Sequence, residues 1–148
     1  MHRITRATLK DLEQLARLFD QYRMFYQKSS DMPGALKFLS QRLINDDSEI
    51  FVSHNETELI GFLQLYPVFS STRMNKLWLL NDLFIHESFR GQGHSLALVA
   101  KAKELCRLSG ACGLTLETGK ENKAGNSLYL KAGFILSTEF NAYNWAPA

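Results

Sequence analysis

The residue types that could carry chemistry are concentrated in the middle of the chain, where an apolar stretch meets a polar turn. The turn contains Gly91 and Gly93, and an amphipathic segment follows from His94. The first N–H groups of a helix lack partners within the helix and carry partial positive charge, and glycine lets a ligand approach the backbone. The pattern indicates an anion site suited to a pyrophosphate, although a purely structural turn fits the residues equally well.

Two common nucleotide-binding patterns do not match this turn. The dinucleotide pattern G-x-G-x-x-G requires glycine where Leu96 stands, and the P-loop pattern G-x-x-x-x-G-K-[ST] is not found. NAD and ATP are therefore disfavoured. The residues predict a different diphosphate as the ligand.

Composition argues against several other classes of protein. The 148 residues carry a net charge of +2 and no run of five basic residues, so nucleic acid is not an expected partner. The sequence contains no apolar run of ~18 residues and does not begin like a secretory signal, so we expect no membrane association and a cytoplasmic location. Cys106 and Cys112 form no C-x-x-C pair, and the four histidines lack metal-ligand spacing, so no metal is predicted.

Hydrophobic periodicity predicts the elements that position the turn. We expect helices over 9–26, 35–44, 94–109 and 122–132, with Thr8 and Asp11 forming a capping box and Gly133 ending the last helix. Strands are expected over 3–7, 49–53, 58–70, 76–86 and 113–118, with one or two more over 134–145. The order β-α-α-β-β-β-α-β-α-β-(β) predicts a single α/β domain over residues 1–148. Its mixed, mostly antiparallel sheet of six to seven strands would be flanked by about four helices.

Two segments in register resemble the GNAT superfamily of N-acetyltransferases. Residues 90–95, RGQGHS, resemble its acyl-CoA signature [QR]-x-x-G-x-[GA], with Ser95 in place of the usual Gly or Ala. Downstream, Leu116-Glu117-Thr118, Asn122 and the run LYLKAGF over 128–134 resemble a second family block. The order of elements matches over nearly the whole chain, so a GNAT-like fold is expected.

The resemblance implies acetyl-CoA as cosubstrate, with no metal. Backbone groups of Leu83, Phe84 and Ile85 would contact the pantetheine arm and the thioester. Asn122 would hold the cosubstrate through its amide, although an N-cap role is equally compatible with its position. Arg90 would contact the diphosphate, although a solvated side chain fits as well. The diphosphate would accept from the N–H groups of Gly91, Gln92, Gly93, His94, Ser95 and Leu96.

The resemblance also implies direct attack of an amine on the thioester in a ternary complex. Tyr129 would protonate the departing thiolate; the alternative is a tyrosine that packs against its helix neighbours. Asp82 lies in an apolar strand, where a raised pKa suits a base, although a structural carboxylate at a strand bulge is an equal alternative. Glu117 and His86 are further candidates for the base, and bulk water could also take the proton.

Three functions remain open from the sequence. The first is acetylation of a small primary amine, for which Tyr22, Phe25, Tyr26, Asp31, Glu139, Phe140, Tyr143 and Trp145 would shape the acceptor site. The second is acetylation of protein N-termini or lysines, and the third is a non-catalytic acyl-CoA-binding module. Many relatives pair through their C-terminal strands, so a homodimer is expected.

Overall fold

The computed structural model describes residues 2–148. In these residues four α-helices and a five-stranded sheet follow the order β1-α1-α2-β2-β3-β4-α3-β5-α4. The strands are β1 (Arg3–Arg6), β2 (Glu49–His54), β3 (Leu59–Ser70), β4 (Asn75–Ile85) and β5 (Leu114–Thr115). The helices are α1 (Leu12–Phe25), α2 (Met32–Asn45), α3 (His94–Leu108) and α4 (Lys123–Lys131).

The sheet is antiparallel from β1 to β4 and parallel between β4 and β5. The predicted hairpin and parallel crossover are therefore both confirmed. The β4–β5 pairing covers only Trp78↔Leu114 and Leu79↔Thr115. Beyond Leu79, this edge of β4 has no strand partner in the described chain. The predicted 113–118 strand is thus reduced to two residues.

Helices α1 and α2 cover one face of the sheet and build the main core. Its members come from both helices and from β2, β3 and β4, and include Leu15, Ala16, Leu18, Ala35, Leu39, Ile50, Val52, Phe62 and Phe84. Helix α3 packs on the other face and buries Leu98, Val99 and Ala102. Helices on both faces explain why β4 is apolar along most of its length.

The helix boundaries follow local chemistry that the sequence displays. Thr8 and Asp11 form the predicted capping box, in which the Thr8 N–H donates to Asp11 Oδ2 at 2.9 Å. The box caps a 3-10 turn that leads into α1, so the first turn is not α-helical. Asp31 caps α2 by accepting from the Gly34 N–H at 2.9 Å, so α2 begins three residues before the predicted start. Gly133 has a φ of 91°, as expected after α4.

The one or two strands predicted over 134–145 are wrong, and the sheet has five strands instead of six or seven. No strand follows residue 115 in the described chain. Ile135, Leu136 and Phe140 are 92%, 74% and 83% exposed. A strand needs a partner and a buried face, and β-favouring residue types alone supply neither.

The chain divides into two compact units, of which one ends at Glu117 and the other comprises Thr118–Ala148. The first contains the whole sheet with α1, α2 and α3, and the second contains α4. None of the helices within residues 2–148 combines the length and the apolar character that crossing a bilayer requires.

Candidate active site

The turn between β4 and α3 exposes the backbone as the sequence predicts. After a short 3-10 helix, Glu87–Phe89, Gly91 and Gly93 adopt φ values of 75° and 85°, a region that favours glycine. A Cβ at Gly91 would meet no heavy atom within 4 Å in the described chain, so the space beside it is open. The turn therefore brings bare backbone to the start of α3.

The N-terminus of α3 has backbone N–H groups available for an anion. Gly93 is its N-cap, and no side chain of residues 2–148 caps it, whereas Asp31 caps α2 and Asn122 caps α4. The first i→i−4 hydrogen bond runs from the Ala97 N–H to the Gly93 carbonyl at 3.1 Å. The N–H groups of residues 94–96 precede this bond and have no carbonyl within the helix. This donor set fits a diphosphate.

Arg90 has contacts that sequence reasoning missed. Its Nε donates to the Ile85 carbonyl at 2.9 Å. Its guanidinium carbon lies 5.7 Å from the ring centroid of Phe25 and 5.3 Å from that of Phe84. The side chain thus joins the end of α1 to the end of β4, and the Ile85 carbonyl accepts its hydrogen bond. Its predicted role at the diphosphate stays a prediction.

His94, the first residue of α3, makes polar contacts with two residues that are far from it in sequence. Its Nδ1 lies 3.1 Å from Ser53 Oγ of β2 and 3.1 Å from His2 Nδ1. Burial, followed by the nearby charge of His2, lowers the pKa of His94. Ser53 and His2 are 41 and 92 residues away in sequence, so no local pattern could have predicted the contact.

Asp82 lies at a bulge in β4, as one of the sequence alternatives anticipated. Gln64 pairs with Asp82 and Leu65 pairs with Leu80, which leaves Asn81 as the extra residue. The Asp82 side chain is 4% exposed and accepts from Gln64 Nε2 at 2.6 Å and from Asn81 Nδ2 at 3.0 Å. Burial raises its pKa, while hydrogen bonds from Gln64, Tyr22 and Asn81 oppose that rise. A carboxylate with a raised pKa is a stronger base than one with the ordinary value.

Aromatic side chains of α1 lie beside this bulge. The Tyr22 hydroxyl donates to the Asn81 carbonyl at 3.3 Å, and its ring contacts those of Tyr26 and Phe84 at centroid distances of 5.1 and 6.2 Å. Phe25 and Tyr26 are about half exposed, at 53% and 47%. Of the predicted acceptor residues, Tyr22 therefore lies next to Asp82, and Tyr26 and Phe25 follow it in a chain of ring contacts.

The other candidates for the base and the acceptor site have different surroundings. Glu117 is exposed and lies outside β5, because pairing ends at Thr115. His86 is half-buried, and its Nδ1 accepts from the Ser88 N–H at 3.1 Å. Asp31 is the N-cap of α2. Asp82 is the one of the three base candidates that is buried among hydrogen-bond donors.

The second unit contains Asn122 and Tyr129, the residues predicted to hold the cosubstrate and to protonate its sulfur. Asn122 Oδ1 accepts from the Gly125 N–H at 3.1 Å, and its Nδ2 donates to Thr118 Oγ1 at 3.0 Å. Asn122 is therefore an N-cap of α4, and its role toward a cosubstrate stays a prediction. Tyr129 is half-buried in α4, and its ring meets that of Phe134 edge-on at 5.7 Å.

Comparison with known proteins agrees with this geometry. The model of the acetyltransferase (GNAT) family matches residues 11–134. The chain belongs to the GNAT family. It is therefore an acyltransferase, and the resemblance to the GNAT superfamily seen in the sequence is confirmed.

Individual relatives extend the match over nearly all of this chain. An uncharacterized N-acetyltransferase of Bacillus subtilis, YhfO, is 41% identical over 140 residues, covering 95% of this chain and 94% of its own. The crystal structure of a probable acetyltransferase superimposes with a TM-score of 0.93 at 36% identity, covering 99% and 98% of the two chains. AAC(6')-Iy, bound to a CoA-containing bisubstrate analogue, shares the fold with a TM-score of 0.82 at 19% identity and 99% coverage of both chains.

Proposed function

We propose that this GNAT protein transfers an acetyl group from acetyl-CoA to a primary amine of a small molecule. The observation that carries the proposal is the uncapped start of α3 behind the two positive-φ glycines, Gly91 and Gly93. It supplies clustered N–H donors, with open space beside Gly91, which suits a diphosphate. The buried carboxylate of Asp82, beside aromatic rings of α1, supports a cationic amine as the second substrate.

The cosubstrate would be held mainly by backbone. The N–H groups of residues 91–96 would donate to the diphosphate. The unpaired edge of β4 at Leu83 and Phe84 would face the pantetheine arm, since pairing with β5 ends at Leu79. Arg90 keeps the end of β4 in place through the Ile85 carbonyl. Acetyl-CoA supplies the activated acetyl carbonyl and a thiolate leaving group.

The remaining steps are proton transfers by the chain's own residues. A protonated alkyl amine has a pKa near 10, so it must lose a proton before its lone pair can attack the acetyl carbon. Asp82 would take that proton, directly or through water. Tyr129 would give its phenolic proton to the departing sulfur and regain one from solvent. We propose Tyr129 on the strength of the family pattern LYLKAGF over 128–134.

The decisive experiment is an acceptor panel read by release of free CoA and by product mass. It contains polyamines, amino acids, amino sugars and peptides with free N-termini or lysines, with acetyl-CoA alone as the control for hydrolysis. Turnover of a small amine, with product heavier by one acetyl group, supports the proposal. Turnover of peptides alone would assign the chain to protein acetylation. Binding of acetyl-CoA with no turnover of any acceptor would make it a binding module.

Assembly and location complete the proposal. We propose a cytoplasmic homodimer, because Phe140, Tyr143 and Trp145 are each more than 80% exposed and the two cysteines are free thiols. Exposed aromatics in one short segment are typical of surfaces that another chain covers. Sedimentation velocity at micromolar concentration is expected to give the mass of a dimer. A monomer mass would contradict the dimer without affecting the proposed activity.

A further inference from the structure

A chain of polar side chains crosses the otherwise apolar face of the sheet beneath α1 and α2. Ser48, in the turn before β2, donates through its hydroxyl to Gln64 Oε1 at 2.9 Å. Gln64 Nε2 in turn donates to Asp82 Oδ2 at 2.6 Å. Gln64 is fully buried, with Phe62 two residues before it on the same face of β3. A buried amide in such a place is costly unless both its ends are satisfied, as they are here.

The ionised carboxylate of Asp82 fixes which end of the Gln64 amide faces it, because a carboxylate only accepts hydrogen bonds. With the NH₂ group toward the carboxylate, Oε1 is left to accept from the Ser48 hydroxyl. The reversed amide would place an oxygen against an ionised carboxylate. The pair Ser48–Gln64 therefore presents a donor to Asp82 in one orientation.

The other donors to Asp82 complete the pattern. Asn81 Nδ2 reaches Oδ1 at 3.0 Å. Tyr22, whose hydroxyl donates to the Asn81 carbonyl at 3.3 Å, also favours the charged form of Asp82. An ionised carboxylate offers about four acceptor positions, and the donors from Gln64 and Asn81 use two of them. The remaining positions can accept from an N–H of an amine or from a water molecule.

We propose that Gln64, held in place by the hydrogen bond from Ser48, is a positioning residue that keeps the Asp82 carboxylate ionised and aimed for proton abstraction from the acceptor amine. This inference rests on the proposed acetyl transfer and assigns a role to two residues outside the family's motifs in this chain. Gln64 touches neither substrate. It acts through Asp82, which would otherwise be a buried carboxylate with less support for its charge.

The surroundings of Asp82 determine which groups could obscure its titration. Tyr22 faces it from α1 and Tyr66 from β3, and Arg42 of α2 and Asp47 act on Tyr66. Burial, followed by the charge of Asp82, raises the pKa of Tyr66 above its usual range. Tyr66 therefore stays neutral over the pH range in which a carboxyl group titrates.

The test follows the titration of Asp82 in two independent ways. The first is ¹³C NMR of protein labelled at the aspartate carboxyl carbons, with the Asp82 signal assigned through Asp82→Asn. The second is the pH profile of kcat/KM with acetyl-CoA and an amine accepted by the wild type. The variants are Gln64→Leu, Ser48→Ala and the conservative Ser48→Thr. Leu65→Ala is the matched control, because Leu65 is a buried residue of β3 that points to the other face of the sheet.

The donor from Gln64 stabilises the charged form, so its loss should raise the pH at which Asp82 titrates. In Gln64→Leu we expect the NMR midpoint and the acid limb of kcat/KM to move upward together by about one to two pH units. Ser48→Ala should move both in the same direction by less, and Ser48→Thr should restore the wild-type values. Leu65→Ala should melt earlier and leave both unchanged. Should Gln64→Leu fail to fold, the two serine variants, which change a half-buried residue, carry the test alone.

Failure of this inference differs from failure of the proposed function. If the wild type acetylates amines but the NMR midpoint stays constant in the variants, the positioning role is wrong. The positioning role is also wrong if the NMR midpoint moves in the variants and the acid limb of kcat/KM does not. If the wild type acetylates nothing, the acetyl transfer itself is wrong, and the positioning role is overturned with it.

Discussion

Replacing Gly91 by alanine tests the turn that the whole account depends on, and Gly110 provides a matched control. The two glycines flank α3, with φ values of 75° at Gly91 and 69° at Gly110. A Cβ at either position would meet no described heavy atom within 4 Å. Each alanine should therefore cost the same left-handed strain, about 1–2 kcal/mol, without a clash. At this chain length that cost corresponds to a fall in melting temperature of about 2–8 °C.

The two variants should differ only in binding. The Gly91→Ala substitution adds a methyl group where the diphosphate is expected. Relief of the backbone strain at this position also tilts the turn. Loss of one hydrogen bond to a charged group, worth about 1.5–3 kcal/mol, would raise the Kd for CoA about ten- to a hundredfold. Isothermal titration calorimetry should give that loss for Gly91→Ala and wild-type affinity for Gly110→Ala. If Gly91→Ala binds CoA within twofold of the wild type, the assignment of the turn is refuted.

Three further predictions concern the proposed acid, the proposed base and the loop between α1 and α2. Tyr129→Phe should lower kcat about 10²-fold with little change in the Kd for acetyl-CoA, and unchanged turnover would remove it as the acid. Asp82→Asn should lower kcat/KM about 10²- to 10⁴-fold and remove the acid limb of its pH profile, and a surviving limb would assign that limb to another group. Asp20 accepts from the Asp31 N–H and from Ser30 Oγ, both at 2.7 Å, and these bonds lower its pKa. Asp20→Asn should therefore cost about 1–3 kcal/mol at neutral pH. Because the pKa of Asp20 is lowered on folding, that difference should shrink as the pH falls below about 4, and a pH-independent difference in urea unfolding would contradict this reasoning.

Local chemistry explains why the central part of the fold could be predicted. The capping box at Thr8 and the glycine after α4 depend only on residues close by in sequence, and α3 begins at His94 as expected. The glycines of the turn also had a local signal, because their spacing precedes an amphipathic helix. Backbone geometry at such positions depends on a few neighbouring residues, so the sequence is informative there.

Contacts between distant residues could not be predicted in the same way. Asp82 stands out in the sequence because a carboxylate in an apolar strand is unusual, but its partner Gln64 lies 18 residues away and has no local signal. The ring contacts of Arg90 and the contact between His2 and His94 likewise exist only once the elements are packed. The expected strands over 134–145 failed for the opposite reason, because suitable residue types lacked a partner.

The most direct test of the central claim is a ¹H–¹⁵N spectrum of the labelled protein during titration with CoA. The amides of residues 91–96 are expected to show the largest changes, saturating with the Kd measured by calorimetry. Saturable changes that leave those amides untouched would contradict this expectation, because the diphosphate would then bind elsewhere.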